Sequence, residues 1–300
     1  RRAGIKRRGG GQRVVKPHGI HLAGLPLVGN AIAAAHKTCG RDHLRIGKGL
    51  LVREQHPLVG HCHHIVVKGP GRDGIGRLFH EQAARRIEPV QAGDRVAAWM
   101  PNRPETIVLY LATQALGAIF TSTSSDFGVQ GVVDRFSQTT PRVLLAADAY
   151  SYGGKSFSCS ERLQEIVEAL PSLEHVIYVE TSSTQVNSLP LAKSWNDFLA
   201  SGSDVPVERP LFPFNHPGLI LYSSGTTGMP KCIVHKAAGV LLTHLKEQQL
   251  HCDIQPGDTV FYFTTCGWMM WNWLTSALAS GATIVLFDGN PAYPNLNTLF

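Results

Sequence analysis

The chain has 300 residues, 43% hydrophobic and 17% charged, an ordinary balance for one large folded domain or two modest ones. No run of about 18 to 20 apolar residues occurs, which argues against a membrane-spanning helix. Six cysteines (Cys39, Cys62, Cys159, Cys232, Cys252, Cys266) without CxxC spacing argue against a disulfide framework and for a reducing, cytoplasmic setting. The net charge of +6 hides a split. Residues 1–80 hold 15 Lys/Arg against 3 Asp/Glu, 9 of 14 His, 15 of 30 Gly and one aromatic residue, Phe79. Residues 81–300 hold 13 Lys/Arg against 19 Asp/Glu.

Two regions are therefore expected: 1–75, basic and Gly/His-rich with no recognisable fold, and 76–300, a folded domain. In 1–75 glycine and charge interrupt every apolar run, so too little apolar bulk is available to offset chain entropy, and a disordered or non-native segment is expected. The cluster from Arg1 to Arg8 has no interleaved aromatics for base stacking, so no nucleic-acid partner is expected. His61-Cys62-His63-His64 lacks metal-ligand spacing, and no protein metal site is expected. Gly69-Pro-Gly71-Arg-Asp-Gly74 is a literal GxGxxG. The strand after it ends in Pro101-Asn102 rather than in the acid a dinucleotide ribose needs.

From Gly93 the pattern becomes regular. Arg95–Met100 reads as a strand, followed by Pro104 at a helix start and an apolar helix from Glu105 to Ile119. A Thr/Ser run, Thr121 to Ser125, leads to Asp126-Phe127-Gly128, and Val129–Gln138 reads as a short helix. Arg142–Ala146 and His175–Val179 read as strands flanking a helix at Glu161–Leu170. Residues 181–217 read as a connecting loop with one helix at Ser194–Leu199. Gly218–Tyr222 and Cys232–His235 read as strands, Gly239–Leu250 as a helix, Thr259–Phe263 as a strand, Trp268–Ser280 as a helix and Ala282–Phe287 as a strand. This alternation points to an α/β fold with a parallel sheet. The cluster Trp268-Met-Met-Trp-Asn-Trp273 fits a buried helix, with Trp268 and Trp271 on one face.

Between two of these strands lies Tyr222–Lys231, YSSGTTGMPK. Its glycines allow close backbone approach to a ligand. Four hydroxyls and free N–H groups supply donors, and Lys231 supplies a mobile cation, a set suited to a polyphosphate. It is not a Walker A loop: Gly225 and Gly228 are too close together, and Cys232 follows the lysine.

YSSGTTGMPK resembles the phosphate loop of the adenylate-forming enzymes, the superfamily of acyl-CoA synthetases, luciferases and peptide-synthetase adenylation domains. TTCGWMMWNW at 264–273 resembles the acyl-pocket segment of the acetoacetyl-CoA synthetase subgroup. DFGVQGVVDRF at 126–136 and AADAYSYGGK at 146–155 are similar to the same subgroup. The resemblance covers roughly residues 90–300. It implies part of the large N-terminal domain, α/β with mostly parallel sheets and flanking helices. It further implies an acid–thiol ligase that activates acetoacetate with ATP, assisted by Mg2+, and passes the acyl group from the adenylate to CoA. Ser223, Ser224, Gly225, Thr226, Thr227, Gly228 and Lys231 would then cradle the phosphates, with Thr226 and Lys231 nearest the chemistry. Trp268 and Met269 would meet the acyl group. A non-catalytic nucleotide-binding remnant and a synthetase for another short-chain acid remain alternatives. The sequence departs from the family at His235–Gly239, which is less glycine-rich. The family's Tyr-Gly-x-Thr-Glu segment, ribose-binding Asp, hinge and C-terminal Lys do not occur in the 300 residues, so these residues alone are expected to be inactive.

Overall fold

The computed structural model describes residues 90–181, 189, 191–200, 210–223 and 228–299, together with four short backbone strands before them. Those strands are β1 (Ala35–His36), β2 (Leu44–Ile46), β3 (Leu50–Gln55) and β4 (His63–Lys68). The GxGxxG stretch at 69–74, His61 and Cys62 lie outside the described residues.

The main body begins with β5 (Arg95–Trp99) and α1 (Pro104–Ala115), whose first residue is the proline expected there. Then come β6 (Ile119–Thr123), α2 (Val129–Thr139), β7 (Val143–Ala147) and a hairpin of β8 (Ala149–Tyr152) and β9 (Lys155–Ser158). α3 (Ser160–Ala169), β10 (His175–Val179), β11 (Ala192–Ser194) and α4 (Trp195–Ala200) follow. The last part comprises β12 (Pro217–Tyr222), β13 (Cys232–Lys236), α5 (Ala237–Leu245), a π-helical turn at Lys246–His251, β14 (Thr259–Phe261), α6 (Met269–Ser276) and β15 (Thr283–Asp288).

Seven strands form one sheet in the order β11-β10-β7-β5-β6-β12-β13. Every pairing in it is parallel except β12 with the edge strand β13. A second sheet runs β1-β2-β3-β4-β15-β14, with β14 and β15 parallel. The central strands show the period of two that a sheet covered on both faces imposes. Val96, Ala98 and Met100 pack with α1, Trp271 and the buried residues of β15, whereas Ala97 and Trp99 pack with Val132 and Phe136 of α2 and Leu163 and Ile166 of α3.

Several expected elements differ. The helix predicted to reach Ile119 ends at Ala115, and Ile119 together with the start of the Thr/Ser run forms β6, all five of whose residues are buried. Threonine is β-branched and suits a strand, and here its hydroxyl finds partners inside the sheet: Thr121 Oγ1 donates to the Ile220 carbonyl (3.0 Å). The Tyr152-Gly-Gly-Lys155 turn closes a hairpin not anticipated from sequence, although Gly-Gly between strands is a known hairpin signal. The 181–217 connection adds β11 to the sheet edge. The Trp-rich helix starts only at Met269. Trp268 precedes it in extended backbone (φ −114°, ψ 150°), so Trp268 and Trp271 do not share a helical face. Trp271 is fully buried and Trp268 is 63% exposed.

Trp271 joins the two sheets. Its ring stacks on Phe120 (6.0 Å between centroids) and meets Tyr110 edge-on (5.8 Å). Its Nε1 donates to Asn102 Oδ1 at 2.9 Å, and Asn102 Nδ2 lies 3.4 Å from both the Thr264 and Phe287 carbonyls. Trp271→Ala is expected to destabilise the chain by about 3–5 kcal/mol. Trp271→Phe, which keeps the ring but leaves Asn102 Oδ1 unpaired, should cost about 1–3 kcal/mol. Urea unfolding followed by circular dichroism checks the order; equal stability of all three chains would contradict it.

Candidate functional site

The expected phosphate loop leaves the carboxyl end of β12, a strand parallel to β6 and the rest of the sheet. In open α/β sheets, ligands gather outside the carboxyl ends of the parallel strands. The β12–β13 ladder ends at Tyr222 opposite Cys232 and is extended by one pair. Ser223 N–H donates to the Lys231 carbonyl (3.0 Å), and Lys231 N–H donates to Ser223 Oγ (3.2 Å). Of the sequence-predicted residues, Ser223 and Lys231 are thus brought together at the neck of the loop. Ser224, Gly225, Thr226 and Thr227 lie outside the described residues. Gly228 is exposed at φ +147°, and a Cβ built there would meet nothing within 4 Å. Its requirement for glycine is therefore conformational, not steric. Lys231 is exposed, and among the described residues no carboxylate pairs with it.

Residues that the sequence reading passed over hold this neck. The Tyr222 hydroxyl lies 2.8 Å from Thr121 Oγ1. Burial pushes its pKa up to about 12, so at neutral pH it stays protonated and can donate. Arg135 of α2 lies over the rings of Phe127 (4.7 Å) and Tyr222 (5.7 Å), a cation–π arrangement.

Trp268 and Met269, the expected acyl contacts, stand 63% and 51% exposed at the start of α6. Large apolar side chains exposed side by side are candidates for contact with a ligand. The segment before them is anchored to β6: Ser122 Oγ donates to the Cys266 carbonyl at 2.6 Å. Gly267 packs so closely that a Cβ would stand 3.2 Å from the Phe127 ring and 3.4 Å from Ser124 N. The loop neck and the segment carrying the expected acyl contacts are therefore joined through two adjacent residues of one strand, Thr121 and Ser122.

The same region holds a buried thiol and a half-buried carboxyl. Burial raises the Cys266 thiol well above its ordinary range. Burial also pushes the Asp288 carboxyl, at the end of β15, up from 3.8 to about 7, with the Arg103 cation opposing it. Between about pH 4 and 7 the folded chain then holds a proton that the unfolded chain has released. The contribution is full below pH 4 and is lost as pH rises through 7. Asp288→Asn should therefore leave stability at pH 4 unchanged and raise it at pH 8 by about 1–3 kcal/mol. Urea midpoints across this range test the expectation; a wild-type pH profile retained in the variant would contradict it.

The AMP-binding enzyme family model matches residues 81–300, a span that includes the loop, its neck and the acyl segment. An acetoacetyl-coenzyme A synthetase of Rhizobium meliloti (strain 1021) is 48% identical over 220 residues, covering 73% of this chain and 34% of that protein. A malonamoyl-CoA synthetase of Penicillium aethiopicum is 47% identical over 225 residues, covering 72% and 31%. The solved acetoacetyl-CoA synthetase from Streptomyces lividans superposes with a TM-score of 0.67 at 42% identity, covering 72% of this chain and 34% of that one. The chain spans about a third of the length of the curated relatives it matches. With its mostly parallel sheet, its flanking helices and a family match over most of its length, the chain belongs to the AMP-binding enzyme family.

Proposed function

We propose that this chain supplies the triphosphate-binding wall and part of the acyl pocket of an acid–thiol ligase acting on acetoacetate, in a cytoplasmic setting. The observation that carries this reading is the 48% identity to an acetoacetyl-CoA synthetase, in a chain whose family match takes in both Ser223–Lys231 and Trp268-Met269. In the proposed reaction a carboxylate oxygen of the acid attacks the α-phosphorus of ATP, and pyrophosphate leaves with the bonding electrons. The CoA sulfur then attacks the acyl carbon, loses its proton and displaces AMP.

The loop's part is electrostatic. The Lys231 ammonium and the loop's N–H and hydroxyl groups (Ser223, Ser224, Gly225, Thr226, Thr227, Gly228) would neutralise charge growing on the leaving pyrophosphate. Thr226 is proposed to stand beside Lys231 nearest that charge. Among the described residues no three His, Cys, Asp or Glu side chains converge to hold a metal. Mg2+ usually keeps several waters and is held largely by substrate phosphates, so it would arrive with ATP and draw charge off the phosphates.

The malonamoyl-CoA synthetase relative favours a second, narrower reading of the acid. Acetoacetate and malonamate are both 3-oxo carboxylates and differ only in a terminal methyl or amino group of similar size. A pocket edged by Trp268 and Met269 would accept either shape, while the hydrogen-bonding partner of the terminal group would separate them.

Isothermal titration of the 300-residue chain with Mg·ATP tests the loop. Lys231→Ala should weaken binding about 10- to 100-fold, the range for a charge-assisted hydrogen bond; unchanged affinity would contradict its role. For the acid, a companion polypeptide carrying the family motifs outside these 300 residues is added. Acid-dependent pyrophosphate release should then favour acetoacetate or malonamate over acetate, and a preference for acetate would overturn the pocket reading.

A further inference from the structure

We infer that Gln138, on the last turn of α2, is a positioning residue that sets Lys231 in place; this rests on the phosphate-loop reading above. Its Nε2 donates to the Pro230 carbonyl at 2.8 Å, and its Oε1 accepts from the Cys232 thiol at 3.6 Å. One planar amide therefore grips the chain on both sides of Lys231. Its Nε2 also donates to the carbonyl of Asp134 on its own helix (2.6 Å), which orients the amide before the loop arrives.

The same helical turn takes the other arm of the loop. Phe136 lies 6.5 Å from the Tyr222 ring, and Arg135 stacks over that ring. Residues 135–139 thus seat both the entry to the loop and its exit. The need for such a seat follows from topology. β13 is the edge strand of its sheet, so the Lys231 backbone has a ladder partner on the β12 side only. Gln138 supplies the second hold. The stretch 126–136, whose pattern pointed to a subgroup without revealing a task, acquires one: it forms the first turns of α2 and leads into the turn that meets the loop neck.

A residue that merely finished the helix would leave the loop indifferent to its loss. Gln138→Leu in the 300-residue chain is expected to speed hydrogen exchange of the Ser223 and Lys231 amides about 5- to 10-fold without ligand, while the thermal midpoint of the whole chain stays unchanged. Mg·ATP affinity should fall about 3- to 10-fold in the Lys231 background and less than twofold in Lys231→Ala, since effects acting through one group do not add. Gln138→Glu, which keeps the acceptor but loses the donor, should reproduce the Leu variant. Unchanged exchange overturns the inference. So does faster exchange with unchanged affinity, or a loss of affinity equal in both backgrounds. If the unsubstituted chain fails to bind ATP, the phosphate-loop reading falls and the positioning role falls with it, whereas the exchange experiment still decides whether Gln138 holds the neck.

Discussion

Thr121 and Ser122, neighbours on β6, carry the constraint on which the site depends. Consecutive residues of a strand face opposite sides of the sheet, and these two use their hydroxyls accordingly. Thr121 reaches across to β12, bonding the Ile220 carbonyl and the Tyr222 hydroxyl at the base of the loop. Ser122 holds the Cys266 carbonyl, two residues before Trp268. Both side chains are almost completely buried, where an unpaired hydroxyl would be costly. Each bond is therefore strongly favoured, and together they tie the neck of the proposed phosphate loop to the segment carrying Trp268 and Met269 through a single strand. Gly267 completes the arrangement by allowing its segment to lie against the backbone just beyond β6.

Polar contacts recur wherever one part of the site meets another. Asn102 satisfies the Trp271 indole and two carbonyls at the junction of the sheets. Gln248, in the π-helical turn after α5, donates to the Trp273 carbonyl of α6, and His244 bonds Ser276. Buried polar pairing of this kind adds little net stability per bond, but a mismatched register leaves donors unpaired and is penalised. The helix bearing the candidate acyl contacts is thereby fixed in register as well as packed. Trp271 on that helix is wholly buried while Trp268 and Met269 just ahead of it are exposed; a single aromatic cluster serves both core and surface.

Much of this was legible in the sequence because it rests on local rules. Proline at the start of α1, the apolar runs of β5, β7 and β10, and the Gly/Ser/Thr loop ending in Lys231 each carry their own signal. β6 carries no strand signal of its own because Ile119-Phe-Thr-Ser-Thr123 has too few apolar residues to look like a buried strand. What buries it is a set of carbonyls on Ile220 and Cys266, about 100 and 144 positions away, which no local pattern shows. The same holds for Asn102 and Gln138, ordinary polar residues by sequence whose partners lie on other elements. Trp268 departs from its expected place for a smaller reason: helical spacing implies a shared face only once the helix has begun, and this one begins a residue later.

On the proposed function, ATP phosphates rest on the loop between β12 and β13. Peptide-resolved hydrogen exchange of the 300-residue chain with and without Mg·ATP tests it most directly. Nucleotide-dependent protection is expected only in peptides covering 222–232 and the helical turn 135–139. Protection located instead in the basic residues 1–80, with the loop unchanged, would contradict it.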